Sequence, residues 1–197
     1  MISQREVISA LKGSWRLFRY DQRGMSQFDL SVNGFWRSFG VVFLLLPLLA
    51  VSFLAEKRLI QSYQNILPEN FPNLTYWAAQ LTGVGLDWVA LPLVLLCLAD
   101  FLGVSKGYIP FIVVRNWTSL LTVLPYFVVS VFYIFGIVSA EVLLFTTLVT
   151  LFLVIWFRYV LARIALGAAS FTAIGVVMLD ILLSLFVTEF AGRIWGL

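Results

Sequence analysis

Residues 117–159 read WTSLLTVLPYFVVSVFYIFGIVSAEVLLFTTLVTLFLVIWFRY, and this stretch decides the class of fold. As one unbroken helix it would be about 63 Å long at 1.5 Å per residue, roughly twice the thickness of the hydrocarbon core of a bilayer. Ser139, Ala140 and Glu141 interrupt the apolar run. We therefore predict two membrane-spanning helices here, at residues 117–138 and 142–159, joined by a tight hairpin.

Three further apolar stretches, at residues 38–55, 77–101 and 168–190, are long enough to span a membrane. Of the 197 residues, 61% are hydrophobic and 12% are charged. An average soluble domain is about 45–50% hydrophobic and about 25% charged. The composition of this chain therefore excludes a disordered chain or an ordinary water-soluble domain. We predict an all-α, polytopic membrane helix bundle of five transmembrane helices at residues 38–197. Residues 1–37 form a polar cytoplasmic segment, and we expect no cleaved signal peptide.

The lysines and arginines predict the orientation of the chain. With the N-terminus in the cytoplasm, the cytoplasmic segments contain ten of these residues and the opposite side contains three. The positive-inside rule then favours a cytoplasmic N-terminus and an external C-terminus. Five of the seven tryptophans lie near predicted span ends, where the amphipathic indole ring is favoured.

The cytoplasmic segment begins with a predicted amphipathic helix at residues 3–19. Ser3 and Glu6 have the spacing of a capping box. Apolar residues then recur at helical spacing, at Val7, Leu11, Trp15 and Phe18. Three interpretations stay open: the helix lies flat on an anionic leaflet, its apolar stripe covers the cytoplasmic end of the bundle, or it docks a partner. The residues predicted for the membrane surface are Arg5, Lys12, Trp15, Arg16 and Arg19.

Two aspartates lie inside predicted spans, Asp87 in the second and Asp180 in the fifth. An intramembrane charge costs about 2.5–3.5 kcal/mol on insertion scales. Both aspartates lie about 15 Å from the outer ends of their spans at 1.5 Å per residue. Small residues flank both, and the third span contributes hydroxyl groups, so we expect spans two, three and five to share a polar interior. Its predicted members are Gln80, Asp87, Tyr126, Ser130, Tyr133, Asp180 and Ser184.

We expect no lysine or arginine at the depth of these aspartates, and we expect Arg115 to pair with Asp100 across an inner loop. Two roles for the predicted polar interior stay open. The aspartates could hold helices together through hydrogen bonds, or they could form a relay for protons or polar solutes.

Catalytic and metal-binding motifs are absent from the sequence. There is no histidine, and Cys97 is the only cysteine. Residues 83–87 (GVGLD) have one residue more than the Gly-x-Gly-Asp motif of intramembrane aspartyl proteases, and no Gly-x-Ser-x-Gly or phosphate-binding loop is present. We expect no enzyme activity, no cofactor and no metal. The net charge of +3 is too small to indicate nucleic acid as a partner.

Three short motifs resemble the Yip1 family of small five-span membrane proteins. Residues 107–111 read GYIPF, similar to the glycine-tyrosine-and-proline stretch of that family, and residues 115–117 (RNW) and 156–163 (WFRYVLAR) look like its bacterial members. The resemblance implies five closely spaced spans after a cytoplasmic N-terminus. Eukaryotic members associate with Rab GTPases and vesicle traffic, but their Asp-Leu-Tyr-Gly-Pro motif is absent here, so we transfer no functional residue.

The sequence as a whole favours a non-catalytic protein of a bacterial cytoplasmic (inner) membrane. The leading hypothesis is a scaffold or accessory subunit in the lipid bilayer that associates with another membrane protein or with a second copy of itself. The alternative is a small transporter or permeation component that uses Asp87 and Asp180.

Overall fold

The computed structural model describes residues 2–196, and within that range every regular element is a helix. The α-helices are α1 (Gln4–Phe18), α2 (Val32–Phe39), α3 (Val41–Gln64), α4 (Asn73–Leu98), α5 (Tyr108–Thr122), α6 (Leu124–Ile134), α7 (Ala140–Ile164) and α8 (Ser170–Trp195). Short 3-10 turns lie at Gln22–Gln27, Pro68–Asn70 and Ser105–Gly107. Five stretches are long and apolar enough to cross a membrane: α2–α3, α4, α5–α6, α7 and α8. The predicted all-α, five-span fold class is confirmed.

Local sequence explains where the third span bends and ends. Pro125 lies in the first turn of α6, directly after the break at Val123. Because proline has no backbone N–H, it fits the first turn of a helix, where that group has no intrahelical partner. Gly136 follows α6 with a φ of 72°, a left-handed conformation that glycine adopts without steric cost. Pro125 therefore starts α6 after the bend within the third span, and Gly136 lets the chain turn into the hairpin that leads to the fourth.

Several helices extend further than the apolar stretches in the sequence suggest. Helix α3 ends at Gln64 rather than near residue 55, and α5 begins at Tyr108 rather than near residue 117. Helix α7 continues to Ile164, past residue 159. The longer helices bring charged residues, including Glu56 and Arg115, inside helical spans.

A dense apolar core fills one end of the bundle, where the N-terminal segment packs; we call this the α1 end. Its buried side chains come from all five spans and include Leu45, Leu91, Ile112, Phe157 and Ala173.

Helix α1 packs against α5 and α7 at this end. The ring of Phe18 makes edge contacts with Trp156 at 5.2 Å and Phe157 at 5.4 Å between centroids. Leu17 is fully buried, whereas Trp15, which the sequence placed on the apolar stripe, is 53% exposed. The remaining predicted membrane-surface residues, Arg5, Lys12, Arg16 and Arg19, are exposed. This packing favours the interpretation in which α1 covers the end of the bundle.

Hydrogen bonds and ion pairs join α1 to α2. Ser3 caps α1 by accepting from the backbone N–H of Glu6 at 3.2 Å, while the Glu6 carboxylate pairs with Arg37 of α2 at 3.4 Å. Arg37 also pairs with Asp29, which accepts a hydrogen bond from the Ser31 N–H. The hydrogen bonds from Ser31, together with the Arg37 charge, lower the pKa of the Asp29 carboxyl. Asp29 is therefore ionised at neutral pH and holds Arg37 in place.

Candidate functional site: a cavity with charged side chains among the five spans

The described part of the bundle contains a cavity of about 880 Å³, lined by side chains from all five spans. This volume lies within the range of about 300–1,000 Å³ that is usual for small-molecule sites. The lining residues recur every three or four positions along each helix, as in Thr147, Thr150, Val154 and Arg158 of α7. One face of each spanning helix therefore points into the cavity, since residues at this spacing share a face.

One carboxylate joins three helices beside this cavity. Asp180 of α8 accepts a hydrogen bond from Nη2 of Arg115 of α5 at 3.2 Å through one oxygen. Its other oxygen accepts from Nη1 of Arg158 of α7. The side chain of Arg115 is 2% exposed and that of Asp180 is 9% exposed. We call Arg115, Arg158 and Asp180 the ionic cluster.

The ionic cluster corrects two expectations from the sequence. The expectation that no lysine or arginine reaches the depth of the aspartates is wrong, because two arginines contact Asp180. The expected pair between Arg115 and Asp100 is also wrong, since Asp100 accepts from the Ser105 hydroxyl instead. The reason is that α5 begins before Arg115, so this side chain projects from a helix into the bundle rather than from a surface loop.

Asp87 of α4 lines the same cavity but lies apart from the ionic cluster. Its charge acts on Arg115, yet no lysine or arginine nitrogen within residues 2–196 comes within 4.0 Å of its carboxylate. Asp87 and Asp180 are therefore near the same arginine, but only Asp180 is directly ion-paired.

A second set of polar side chains lies further along the cavity, away from the α1 end. Gln80 donates to the Glu56 carboxylate at 2.9 Å, and the Tyr76 hydroxyl lies 3.3 Å from the same oxygen and 2.8 Å from the Phe53 carbonyl. We call Glu56, Tyr76 and Gln80 the glutamate cluster. Gln80 precedes Asp87 by two turns on one face of α4, about 10.5 Å at 1.5 Å per residue. The cavity therefore has two polar regions at different depths.

The connection between α3 and α4 bounds the cavity at the end opposite α1. Ile66, Phe71 and Pro72 from this connection contribute to the lining. Phe71 is 6% exposed and packs edge-on against the Tyr76 ring, with centroids 5.3 Å apart. The Nζ atom of Lys57 lies 5.3 Å from the centre of the Phe71 ring.

The structure brings together only some of the residues predicted for the polar interior. Gln80, Asp87, Tyr126 and Ser184 line the cavity. Asp180 is not in the lining but holds the arginines that are. Ser130 is buried, and Tyr133 packs beside a small apolar cluster on Ala55, Val129 and Leu143; neither lines the cavity.

Sequence reasoning missed three charged residues of the site, Glu56, Arg115 and Arg158. These come from spans one, three and four, so the polar interior involves more than the predicted spans two, three and five. A signal was present in the polar stripe Arg115, Ser119, Thr122 and Tyr126, whose spacing continues the hydroxyl stripe of the third span back to an arginine.

Comparison with known proteins gives no match to this chain among family models, curated proteins or solved structures.

Proposed function

We propose that this chain is a non-catalytic membrane protein that binds a solute in its central cavity and passes it across the bilayer, as a small transporter or permeation component. The observation that carries the proposal is the 880 Å³ cavity, which all five spans line and which has Glu56, Asp87, Arg115 and Arg158 in its walls. Ionisable residues inside spans are costly and commonly mark substrate or ion pathways. Hydrogen bonds that only joined helices would not require so large an opening.

The scaffold or accessory role favoured by the sequence stays a prediction, because no contact in the structure is specific to it. A scaffold requires neither solute binding nor access to the cavity from both sides of the membrane. Access to the cavity therefore distinguishes the two functions.

The proposal includes a bacterial cytoplasmic membrane, a cytoplasmic N-terminus and an external C-terminus. Arg115 and Arg158 pair with Asp180 inside the bundle and so are not counted with the charges at the membrane surface, which leaves eight basic residues on the cytoplasmic side against three outside. The positive-inside rule still favours the same orientation. The resemblance to the Yip1 family rests on three short motifs and stays a prediction.

Access to the cavity can be tested with a single cysteine. In a Cys97→Ser background, Ser119→Cys places a thiol in the cavity wall, and Leu182→Cys places one on the exposed surface of α8, where Leu182 is 59% exposed. A charged, membrane-impermeant methanethiosulfonate reagent is applied to right-side-out and to inside-out membrane vesicles. Reagent that leaks into the lumen is quenched by trapped free thiol.

We expect Ser119→Cys to react in both kinds of vesicle and Leu182→Cys to react in neither. Adding Ser184→Trp, which fills cavity space from α8, should block the reaction at Ser119→Cys, whereas Leu182→Trp should leave it unchanged. Reaction from one side only, or from neither, would contradict passage through the cavity and would favour the scaffold.

A further inference from the structure

We infer that the cavity recognises a zwitterion with an apolar body, whose anionic group binds Arg115 and Arg158 and whose cationic group binds Asp87. This inference rests on the proposed function, because it takes the cavity to be a ligand site. It adds the chemical class of the ligand and assigns a role to each charged group near the ionic cluster.

Two arginines of the ionic cluster reach the cavity. Arg115 of α5 and Arg158 of α7 both line it, and the side chain of Arg158 is 25% exposed. A guanidinium group can only donate hydrogen bonds. The part of a ligand that lies beside these arginines therefore has to supply a hydrogen-bond acceptor.

The charges of the site also indicate which charged groups the ligand carries. Arg115 and Arg158 share the single carboxylate of Asp180, which leaves one positive charge in excess. Asp87 lines the same cavity without an ion pair. An anion alone would be repelled by Asp87, and a cation alone would be repelled by the arginines. A ligand with both charges satisfies the two sides at once, because each of its charged groups meets the opposite charge.

The remaining lining indicates that the ligand has an apolar body. Apolar side chains cover much of the wall, among them Leu45, Leu49, Val84, Leu151 and Val154. Hydrophobic walls with a few convergent polar groups are typical of sites for ligands of drug size. A short amino acid would fill the charged part of the cavity but would leave this apolar wall uncovered.

The charge preference can be measured with four homologues that share a ten-carbon chain. The probe is radiolabelled 2-aminodecanoate, a zwitterion near neutral pH, bound by the full chain in a neutral maltoside detergent. Decanoate, decylamine and decanol compete as the anion, the cation and the neutral alcohol. Unlabelled 2-aminobutanoate carries the same charged head without the long chain and tests whether the apolar body contributes.

We expect 2-aminodecanoate to bind at least tenfold more tightly than each ten-carbon competitor and than 2-aminobutanoate. Asp87→Asn should abolish the preference for the zwitterion over decanoate. Arg158→Gln, which removes the more exposed of the two arginines, should abolish its preference over decylamine. Glu189→Gln, on the exposed part of α8, is the matched control and should bind as the unmodified chain does.

Several results would overturn the inference. Decanoate or decylamine binding as tightly as the zwitterion would make the site one for a single charge, and equal binding of decanol would remove charge recognition altogether. The inference also fails if the Asp87→Asn and Arg158→Gln chains bind the zwitterion unchanged, or if no probe binds. None of these results decides the proposed function, which is tested separately by the reaction of Ser119→Cys in the two kinds of vesicle.

Discussion

Asp180 makes more ion pairs between helices than any other acidic residue in the spans of the described chain, because its two oxygens contact arginines from two other helices. Desolvation of three charges is expensive, and the geometry compensates only while all three side chains are present. The removal of the shared carboxylate would leave two like charges facing each other inside the bundle. The stability of the bundle should therefore be sensitive to Asp180 and much less so to Asp87.

We predict that Asp180→Asn lowers the free energy of unfolding by about 3–5 kcal/mol, the usual cost of breaking a buried ion pair. Asp87→Asn, which removes a carboxylate without an ion pair, should cost less than about 1 kcal/mol. Thermal unfolding in mild detergent, followed by size-exclusion chromatography, measures both. Similar losses for the two variants would refute the assignment of the ionic cluster.

The residues that sequence reasoning missed share one physical property. Charged residues normally mark the ends of spans, so hydropathy places Glu56 and Arg115 just outside the predicted spans and Arg158 at the end of the fourth. A charge inside a span is tolerated when another helix supplies its partner, as Asp180 does for both arginines. That partner is distant in sequence, so hydropathy alone could not identify it.

Helix α5 is positioned at its first turn by residues of the GYIPF stretch. A Cβ atom added at Gly107 would lie 2.3 Å from the Leu166 carbonyl oxygen, so the backbone of the connection between α7 and α8 occupies the space of a side chain. The Tyr108 hydroxyl donates to the Pro92 carbonyl of α4 at 2.9 Å. The stretch therefore packs α5 against its neighbours and so places Arg115 two turns later on the same helix.

We predict that Gly107→Ala destabilises the protein by about 1–3 kcal/mol, the usual cost of overpacking. Gly85→Ala is the matched control, since nothing lies within 4 Å of a Cβ atom there. Because alanine favours a helix interior, the control should be neutral or stabilising by up to about 1 kcal/mol. Thermal unfolding in detergent compares the two; equal melting temperatures would contradict the close approach at Gly107.

Helix α1 was predictable as an amphipathic helix from its spacing, but its buried face was not. Leu17 is fully buried and Trp15 is half-exposed, so the buried face is rotated around the helix relative to the predicted apolar stripe. This rotation depends on contacts with α7. The spacing of apolar residues predicts that α1 has an apolar face, whereas the direction of that face depends on the surface against which the helix packs.

We predict that Phe18→Ala releases α1 from the bundle, because it removes ring contacts with both Trp156 and Phe157 and so costs about 1–3 kcal/mol of packing. Ile8→Ala, at a position that is 54% exposed, should have little effect. Limited proteolysis measures the release as faster cleavage within residues 3–19 of the Phe18 variant. Equal cleavage rates in the two variants would contradict the docking of α1 through Phe18.

At the scale of the whole molecule, the number of spans and the all-helical class follow from apolar length and composition. The cavity does not follow from these, because it arises where one face of each of five helices converges. Gln80, Asp87, Tyr126 and Ser184 were identifiable as polar residues within spans. Their assembly around arginines from α5 and α7 required the packing of the whole bundle.

The most direct test of the central claim, a water-accessible polar cavity inside the five spans, is a spin-label scan of α8 from Leu182 to Thr188 in lipid nanodiscs. Each position receives one nitroxide in a Cys97→Ser background, and collision rates are measured with a water-soluble nickel chelate and with oxygen, which concentrates in lipid. We predict nickel accessibility at Ser184 and Thr188, which line the cavity, and oxygen accessibility at Leu182, Leu185 and Phe186, which face outward. High oxygen and low nickel accessibility at both Ser184 and Thr188 would contradict the account.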